Sequence, residues 1–466
     1  ACMNMYICLY IYLYGVDPGE RGREMALYVQ VGQCGNQVAG SLWDAILQEH
    51  RYDKQRKKTW PRHPFLQPDG RIRTVLLDSE PKVVQGQLKK FGSRRMRPEN
   101  AFFDQNGRGN NWAMGYHGGK KGGQACSGDG ESSGCSLVDA SLEAIRRECE
   151  RSDSVTEFVV FHSLSGGTGS GVGSHLVEEL RDLYPMNCIS TVCVAPHGAG
   201  ESALQNFNAI LTLSHTLGFV DTIVYFSNRQ MFDSLSRSLK AERQTSRTQG
   251  GGSYTRITNE DLNNYITSCV AGVLMPVRGA SAWSVPSFGG LCPHVTPLPT
   301  AKFTGIHTAP FIGSKHKPHS WRYIAESLKA FVPRYNVHQE ALTTVNSELF
   351  VRGDTDKSFM QSHAQETSQV LSQMYRYPTI EMEPAGMEIS HSPALPAHDI
   401  AATMTMFSNR TSIVDELQHF LDKSRLTFES GAYLHWYERY GCGADHFKDS
   451  FETIQEVIDF YDDLVL

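Results

Sequence analysis

The chain has 466 residues, of which 40% are hydrophobic and 20% are charged. These values are ordinary for a globular protein that is long enough for two or three domains and a sizeable core. The formal net charge of −6 lacks the basic excess of a nucleic-acid-binding protein, so we expect no nucleic-acid partner. The eleven cysteines form no C-x-x-C pair, which argues against a zinc site and against a disulfide framework.

The first 24 residues do not match the pattern of the rest. Residues 1–16 are apolar and rich in tyrosine, but no Lys or Arg precedes them, and the run is too short for a membrane span. Because a clear strand-and-turn pattern opens at Met25, we interpret residues 1–24 as an extra segment outside the fold, from the gene model or from upstream translation. No other segment has the pattern of a membrane span, so we expect no membrane partner.

A strand–turn–helix pattern opens the fold. Ala26–Val31 is a short apolar run that predicts a strand, and the turn G-Q-C-G-N-Q at 32–37 follows it. Apolar residues spaced four apart then predict a helix. Gln33 and Gln37 are uncharged donors suited to a phosphate or its metal, with ordinary polar cap residues as the alternative.

A second strand is predicted at 74–77, and D-S-E-P follows it at 78–81. Two carboxylates at the carboxyl end of a strand can hold a hydrated Mg²⁺ beside a triphosphate. The alternative is that Asp78 or Ser79 simply caps the next helix. Further on, the loop at 107–113 is rich in asparagine, whose side chain tolerates unusual backbone angles and donates to phosphates.

Residues 158–173, F-V-V-F-H-S-L-S-G-G-T-G-S-G-V-G, are the most informative stretch. A continuous apolar run predicts a strand buried on both faces, and the spacing after Val172 predicts a helix. The glycine-rich turn between them presents main-chain N–H groups at a helix N-terminus, which is an anion site, usually for phosphate. The turn has neither the lysine of a Walker loop nor the G-x-G-x-x-G spacing. A turn of this kind without a ligand is the alternative.

Strands and helices alternate from residue 26 to residue 228, with further strands predicted at 188–194 and 221–226. This alternation predicts an α/β fold with a parallel sheet covered on both faces. Ligands of such sheets lie beyond the carboxyl ends of the strands. The candidate residues that follow strands or lie in turns are Gln33, Asp78, Asn110, Gly167 and Asn228.

The composition changes after a long helix predicted at 259–277. No Asp or Glu occurs from Leu262 to Ala325, and prolines are frequent from 276 to 318. We expect a domain boundary there, then a region of short strands and helices at 279–400. Two helical patterns are predicted in the last part, residues 401–466.

Six motifs stand in one order along the chain: G-Q-C-G-N-Q at 32–37, D-S-E-P at 78–81, G-N-N-W-A at 109–113, G-G-T-G-S-G at 166–171, S-N-R-T-S-I at 408–413 and Y-L-H-W-Y at 433–437. In this order they resemble the tubulin family, from about Met25 to the C-terminus. The resemblance implies a Rossmann-like parallel-sheet GTPase domain at 25–258 and a core helix at 259–278. It further implies an α/β intermediate domain at 279–400 and a helical C-terminal domain at 401–466.

The resemblance also implies that GTP or GDP binds together with Mg²⁺. The residues it places beside the phosphates are Gln33, Cys34, Asn110, Ser163, Ser165, Gly166, Gly167, Thr168, Gly169, Ser170 and Gly171. It places Asp78 and Glu80 on the magnesium side, Glu201 and Gln205 near the ribose, and Asn228 and Asn263 at the guanine edge. An asparagine can both donate to the guanine carbonyl and accept from its amino group.

Three positions depart from the family pattern. Ser165 stands where the family has its first phosphate-loop glycine, and Asn259 stands where an aromatic residue usually covers the guanine. The stretch 279–300, where alpha-type subunits present an acid to the next subunit's GTP, has no carboxylate and looks shortened; a mis-spliced gene model is an alternative. We therefore expect GTP binding with weak or partner-dependent hydrolysis.

Within the family the chain looks most like delta-tubulin. Q-N-F-N at 205–208 replaces the Glu-Pro-Tyr-Asn of alpha and beta forms, and the chain ends in D-D-L-V-L without an acidic tail. Delta type implies a cytoplasmic cytoskeletal protein of centrioles, basal bodies and cilia, with other tubulin subunits and microtubule or centriole components as partners. The alternatives are the epsilon or gamma type, a free-standing GTPase, and a nicotinamide-dependent oxidoreductase.

Overall fold

The computed structural model describes residues 25–55, 63–118, 136–152, 154–197, 202–245, 257–278, 283–284, 286–312, 320–353, 369–371, 387–392, 400 and 402–464. The extra segment 1–24 and Glu201 lie outside these residues, as do nearly all of the Gly/Ser-rich stretch at 118–136 and part of the stretch 279–300.

One ten-stranded sheet organises the molecule. Its strands are β1 (Ala26–Val31), β2 (Thr74–Asp78), β3 (Ala101–Phe103), β4 (Glu157–Ser163), β5 (Cys188–Ala195), β6 (Thr222–Ser227), β9 (Phe303–Ala309), β10 (Thr344–Arg352), β11 (Met387–Ser392) and β12 (Thr403–Arg410). Their order is β11-β10-β12-β9-β6-β5-β4-β1-β2-β3. All run the same way except β12, which is antiparallel to both of its neighbours. A separate hairpin joins β7 (Val277–Arg278) and β8 (Trp283–Ser284).

Helices cover both faces of the sheet. They are α1 (Gly32–Gln55), α2 (Pro81–Phe91), α3 (Trp112–Gly118), α4 (Leu137–Glu150), α5 (Gly173–Leu183), α6 (Gln205–Leu217), α7 (Asn228–Thr245), α8 (Asn259–Leu274), α9 (Phe288–Val295), α10 (Trp321–Phe331), α11 (Val414–Glu429), α12 (Leu434–Glu438) and α13 (Ala444–Asp463). Short 3₁₀ turns occupy Pro98–Asn100 and Thr411–Ile413. No helix in these ranges is long and apolar enough to cross a bilayer.

The predicted α/β class with a parallel sheet is confirmed. Successive residues of β1 point to opposite faces, so Tyr28 lies in one core and Val29 in the other. The first core contains side chains of α1, α7, α8 and α10, and the second those of α3 to α6, α11 and α13. Because both faces are covered, β1 is buried along its whole length, including Gln30, the one polar residue in its apolar run.

The helix predicted at 259–277 ends three residues early, at Leu274. Met275 is extended, since the residue before a proline is disfavoured in the helical region. The buried Arg352 of β10 then donates to the carbonyls of Gly272 at 2.9 Å and Met275 at 2.6 Å. These bonds satisfy helix-end carbonyls that have no partner within the helix.

The predicted domain boundaries remain predictions. Within the sheet, β9 from the region 279–400 pairs in parallel with β6, and β12 from the predicted C-terminal part pairs with β9 and β10. The three regions therefore share one continuous sheet in the part of the chain that is described.

Candidate nucleotide-binding site

The glycine-rich turn begins where β4 ends. Gly166 has a φ of +86°, which only glycine adopts readily. Thr168–Val172 then forms a π-helical turn before α5 begins, and the Gly167 carbonyl accepts from the Val172 N–H at 3.4 Å as well as from the Gly171 N–H at 2.9 Å. Such a wide turn at a helix start presents free N–H groups and the positive end of the helix dipole, the geometry that binds anions.

Protein packing also demands glycine in this turn. A Cβ on Gly167 would lie 2.2 Å from the Arg108 carbonyl oxygen, and one on Gly171 would lie 2.2 Å from the Trp112 carbonyl oxygen. One on Gly169 would lie 2.3 Å from Ser163 Oγ. These are overlaps with neighbouring elements, so the turn is fixed in shape by contacts with the Arg108–Trp112 loop and with the end of β4.

The hydroxyl groups of the turn brace it internally. Ser163 Oγ donates to the Ser165 carbonyl at 2.7 Å, and Ser170 Oγ donates to the Gly166 carbonyl. Thr168 Oγ1 is hydrogen-bonded to Ser79 Oγ, which follows β2. These bonds hold Ser163, Ser165 and Thr168 at the mouth of the turn and connect it to the D-S-E-P motif.

The first strand–turn–helix unit lies directly against this turn. The residues 32–37, predicted as a turn before the helix, are already the first turns of α1, which begins at Gly32. Gln33 is exposed and Cys34 half-buried in that first turn. The fully buried Asn36 donates from Nδ2 to the carbonyls of Gly32 and Leu77, at 2.9 Å each, and so joins the end of β1 to β2.

Asp78 and Glu80 provide a candidate magnesium side. Asp78 ends β2 and is 4% exposed; burial raises its pKa to about 7, although the N–H groups of Ser79 and Glu80 act in the opposite direction. The exposed Glu80 occupies the cap position of α2 but makes no side-chain cap bond, and neither Asp78 nor Ser79 fills that position. A buried carboxylate beside an exposed one fits a hard divalent cation, which prefers such oxygen ligands.

Asn110 lies beside the candidate phosphate turn. Its φ of +50° is left-handed, as the asparagine-rich loop suggested. A Cβ on Gly166 would lie 4.0 Å from Asn110 Oδ1, so the side chain stands beside the turn. A buried ion pair stabilises the loop: Arg108 Nη2 lies 2.9 Å from Asp104 Oδ2.

The residues expected on the ribose and guanine side come from three different helices. Gln205 begins α6, is almost fully buried, and donates to the His197 carbonyl at 3.5 Å. Asn228 begins α7, and Asn263 lies in the second turn of α8, a helix that packs along α1; both are half-buried. Glu201 lies outside the described residues. The roles of these residues, like those on the phosphate side, remain predictions.

Three residues that join the site together were not singled out as contributors from the sequence. Asn36 and Ser79 lie inside the motifs at 32–37 and 78–81, so the sequence indicated that they are near the site, although it did not predict their hydrogen bonds. Asn208 closes Q-N-F-N and is fully buried, with hydrogen bonds to Asn110 and Trp112.

An anion cradle of main-chain N–H groups at the carboxyl edge of a parallel sheet, with two carboxylates beside it, is characteristic of α/β nucleotide-binding proteins. Comparison with known proteins shows which of these the chain is similar to. The family model described as "Tubulin/FtsZ family, GTPase domain" matches residues 26–236, which include β1 to β6 and most of the candidate site.

Similar proteins include the tubulin beta-1 chain of Glycine max, 26% identical over 458 residues, and that of Geotrichum candidum, 24% identical over 451 residues. For both, 93% of this chain and 94% of the relative are covered. The tubulin beta-6 chain of Gossypium hirsutum is 25% identical over 459 residues, covering 93% of each chain. These matches support the tubulin family for this chain, and the match to a GTPase domain implies binding of GTP or GDP.

Proposed function

We propose that the protein is a GTP-binding cytoskeletal subunit of the delta-tubulin type, in which bound nucleotide and Mg²⁺ stabilise the fold and its assembly with other tubulin subunits. The observation that carries the proposal is the cradle at Gly166–Gly171. It is wedged between Gly32 and the Arg108–Trp112 loop, and it presents main-chain N–H groups at the carboxyl edge of the parallel sheet.

In this proposal the phosphates lie over the turn, because its N–H groups and the positive end of α5 attract negative charge. The N–H groups and side chains of Gln33, Cys34 and Asn110 close the phosphate side. Asp78 and Glu80 hold Mg²⁺, which supplies positive charge between the two carboxylates and the phosphates. Asn228 and Asn263 read the guanine edge, and Gln205, with Glu201, lies towards the ribose.

Support for the delta type comes from Q-N-F-N at 205–208. We further propose that the protein acts in the cytoplasm at centrioles or basal bodies of ciliated cells, with microtubule or centriole components as partners. A fluorescent fusion of the full chain tests this: the proposal expects signal at centrioles or basal bodies. Uniform labelling of the cytoplasmic microtubule array instead would argue for an ordinary lattice subunit.

Nucleotide binding itself is tested by titrating the purified chain with GTP, GDP, ATP and NAD in the presence of Mg²⁺. We expect saturable binding of GTP or GDP at one site and no competition by NAD. Single-turnover measurements at low protein concentration then separate binding from hydrolysis. Because residues 279–300 contain no carboxylate, we expect slow hydrolysis in the isolated protein and no stimulation at high self-concentration.

A further inference from the structure

Asn208 occupies the centre of a buried hydrogen-bond cluster next to the phosphate side. It lies one turn into α6 and is fully buried. Its Nδ2 donates to the Asn110 carbonyl at 2.7 Å, while its Oδ1 accepts from the Trp112 N–H at 2.9 Å and from the Tyr437 hydroxyl at 2.7 Å. The Asn208 amide thus makes three hydrogen bonds, and each partner is distant from it in sequence.

The partners fix the orientation of this amide. A main-chain N–H can only donate, so the group facing Trp112 must be the oxygen, and a carbonyl can only accept, so the group facing Asn110 must be the NH₂. An apolar residue at 208 would leave a buried N–H and a buried carbonyl without these partners. The arrangement therefore requires a side chain with one donor and one acceptor at this position.

One end of the cluster is the candidate phosphate site. Asn110 holds a left-handed conformation, with a φ of +50°, beside Gly166. Such a conformation costs a non-glycine residue on the order of 1 kcal/mol and persists where surrounding bonds enforce it. The bond from Asn208 Nδ2 to the Asn110 carbonyl is the direct restraint on that residue.

The other end is the short helix α12. Tyr437 is fully buried and reaches inward to Asn208, whereas Tyr433 and Trp436 on the same segment are exposed. A second bond runs in parallel, from Asn111 Nδ2 to the Trp436 carbonyl at 3.2 Å. Two adjacent residues of the phosphate-side loop, Asn110 and Asn111, are therefore tied to α12, one through Asn208 and one directly.

We propose that Asn208 is a positioning residue that couples occupancy of the phosphate site to the order of residues 433–438. The inference rests on the proposed nucleotide binding. A nucleotide that holds Asn110 in place strengthens the chain of bonds through Asn208 to Tyr437 and so stabilises α12. By thermodynamic linkage, loosening α12 weakens nucleotide binding by the same factor.

Two variants break the cluster at different points. Asn208→Asp keeps the acceptor for Trp112 and Tyr437 but removes the donor to Asn110. Tyr437→Phe keeps the ring in the core and removes only the bond to α12. The chain offers matched controls, because buried Asn409 makes the same kind of bonds elsewhere: Nδ2 donates to the Ala301 carbonyl at 2.6 Å and Oδ1 accepts from the Tyr461 hydroxyl at 2.8 Å.

The experiment measures GTP affinity and the hydrogen exchange of 433–438, with and without GTP, in the full chain and four variants. In the parent chain we expect GTP to slow exchange in 433–438. Asn208→Asp should weaken GTP binding about tenfold or more, and Tyr437→Phe about threefold to tenfold, and both should markedly reduce the slowing, although the bond from Asn111 to Trp436 remains. Asn409→Asp and Tyr461→Phe should preserve the slowing and the affinity, even where they lower thermal stability.

Two results would overturn the inference while leaving nucleotide binding intact. One is a parent chain that binds GTP with no change in the exchange of 433–438. The other is a Tyr437→Phe chain that keeps both the affinity and the slowing, which is decisive even where Asn208→Asp fails to fold. A folded parent chain that binds no guanine nucleotide would overturn the proposed function and this inference together.

Discussion

Gly32 lies directly against Gly169, since a Cβ on Gly32 would stand 2.8 Å from the main-chain nitrogen of Gly169. The start of α1, just after β1, and the glycine-rich turn that follows β4 thus meet with no room for a side chain. We expect Gly169→Ala to weaken GTP binding at least about 100-fold and to destabilise the fold by about 1–3 kcal/mol, because the new Cβ overlaps Ser163 Oγ. Nucleotide titration and denaturant unfolding measure the two effects.

The matched control is Gly86→Ala on α2, where an added Cβ meets no atom within 4 Å. This exposed helical glycine should leave GTP affinity unchanged and stabilise the chain by up to about 1 kcal/mol. Equal affinities for the Gly169→Ala and Gly86→Ala chains would refute the tight cradle.

Asp78→Asn should separate stability from magnesium binding. Burial raises the Asp78 pKa from 3.8 to about 7, so this group lowers the stability of the fold as the pH rises from about 4 to about 7, and above pH 7 the folded state carries a disfavoured charge. Asparagine lacks that charge, and at pH 8 the nucleotide-free variant should unfold at a higher denaturant concentration. Its GTP affinity, in contrast, should lose most of its dependence on Mg²⁺. The exposed Asp445→Asn should change neither, and an unchanged Mg²⁺ dependence in Asp78→Asn would remove Asp78 from the metal side.

Asn259→Tyr should strengthen guanine binding. Asn259 is exposed in the first turn of α8, one helical turn before Asn263 and on the same side of the helix. If Asn263 reads the guanine edge, an aromatic ring at 259 can stack on the base, which is worth on the order of 1–3 kcal/mol, or about fivefold to 150-fold in Kd. Competition titrations of GTP against inorganic triphosphate provide the measurement. Unchanged GTP affinity would place the guanine away from this end of α8.

Acid should destabilise the protein partly through His162. This buried residue of β4 has its pKa lowered to about 4 by desolvation, against 6.5 ordinarily. A lowered histidine pKa means that the neutral form stabilises the fold above pH 6.5 and that this stability is lost as the pH falls from 6.5 towards 4. The loss at pH 5 is about 2 kcal/mol.

Urea unfolding at pH 8 and pH 5 measures this contribution to the free energy of unfolding. His162→Gln should reduce the difference between the two pH values by about 2 kcal/mol, whereas the exposed His446→Gln should leave it unchanged. The half-buried His63 and His307, whose pKa values are lowered to about 3 by desolvation, account for further loss in both chains. An unaltered pH dependence in His162→Gln would contradict the account.

Much of the nucleotide-binding half could be predicted from the sequence, because its signals are local. Ala26–Val31 has the predicted bounds, because apolar residues fill it except at Gln30. Strand β3 has only three residues and gives no periodic signal. The pairing of β12 with β9 and β10 joins residues far apart in sequence, which local pattern does not encode.

In the candidate site, too, the local features could be predicted from the sequence and the long-range contacts could not. The glycine motif predicted a phosphate turn, but its contacts with Arg108 and Trp112, and its π-helical winding, depend on tertiary packing. The hydrogen bonds of Asn208 join residues 98 and 229 positions away, so no spacing rule could anticipate them. Tertiary packing determines these contacts and hydrogen bonds, so composition and periodicity could not predict them.

The nucleotide that co-purifies with the folded full-length chain tests the central claim most directly. Acid extraction followed by chromatography should release GTP or GDP at close to one molecule per chain, and Gly169→Ala should carry far less. A folded chain that releases no guanine nucleotide, and binds none when GTP and Mg²⁺ are added at millimolar concentration, would contradict the account.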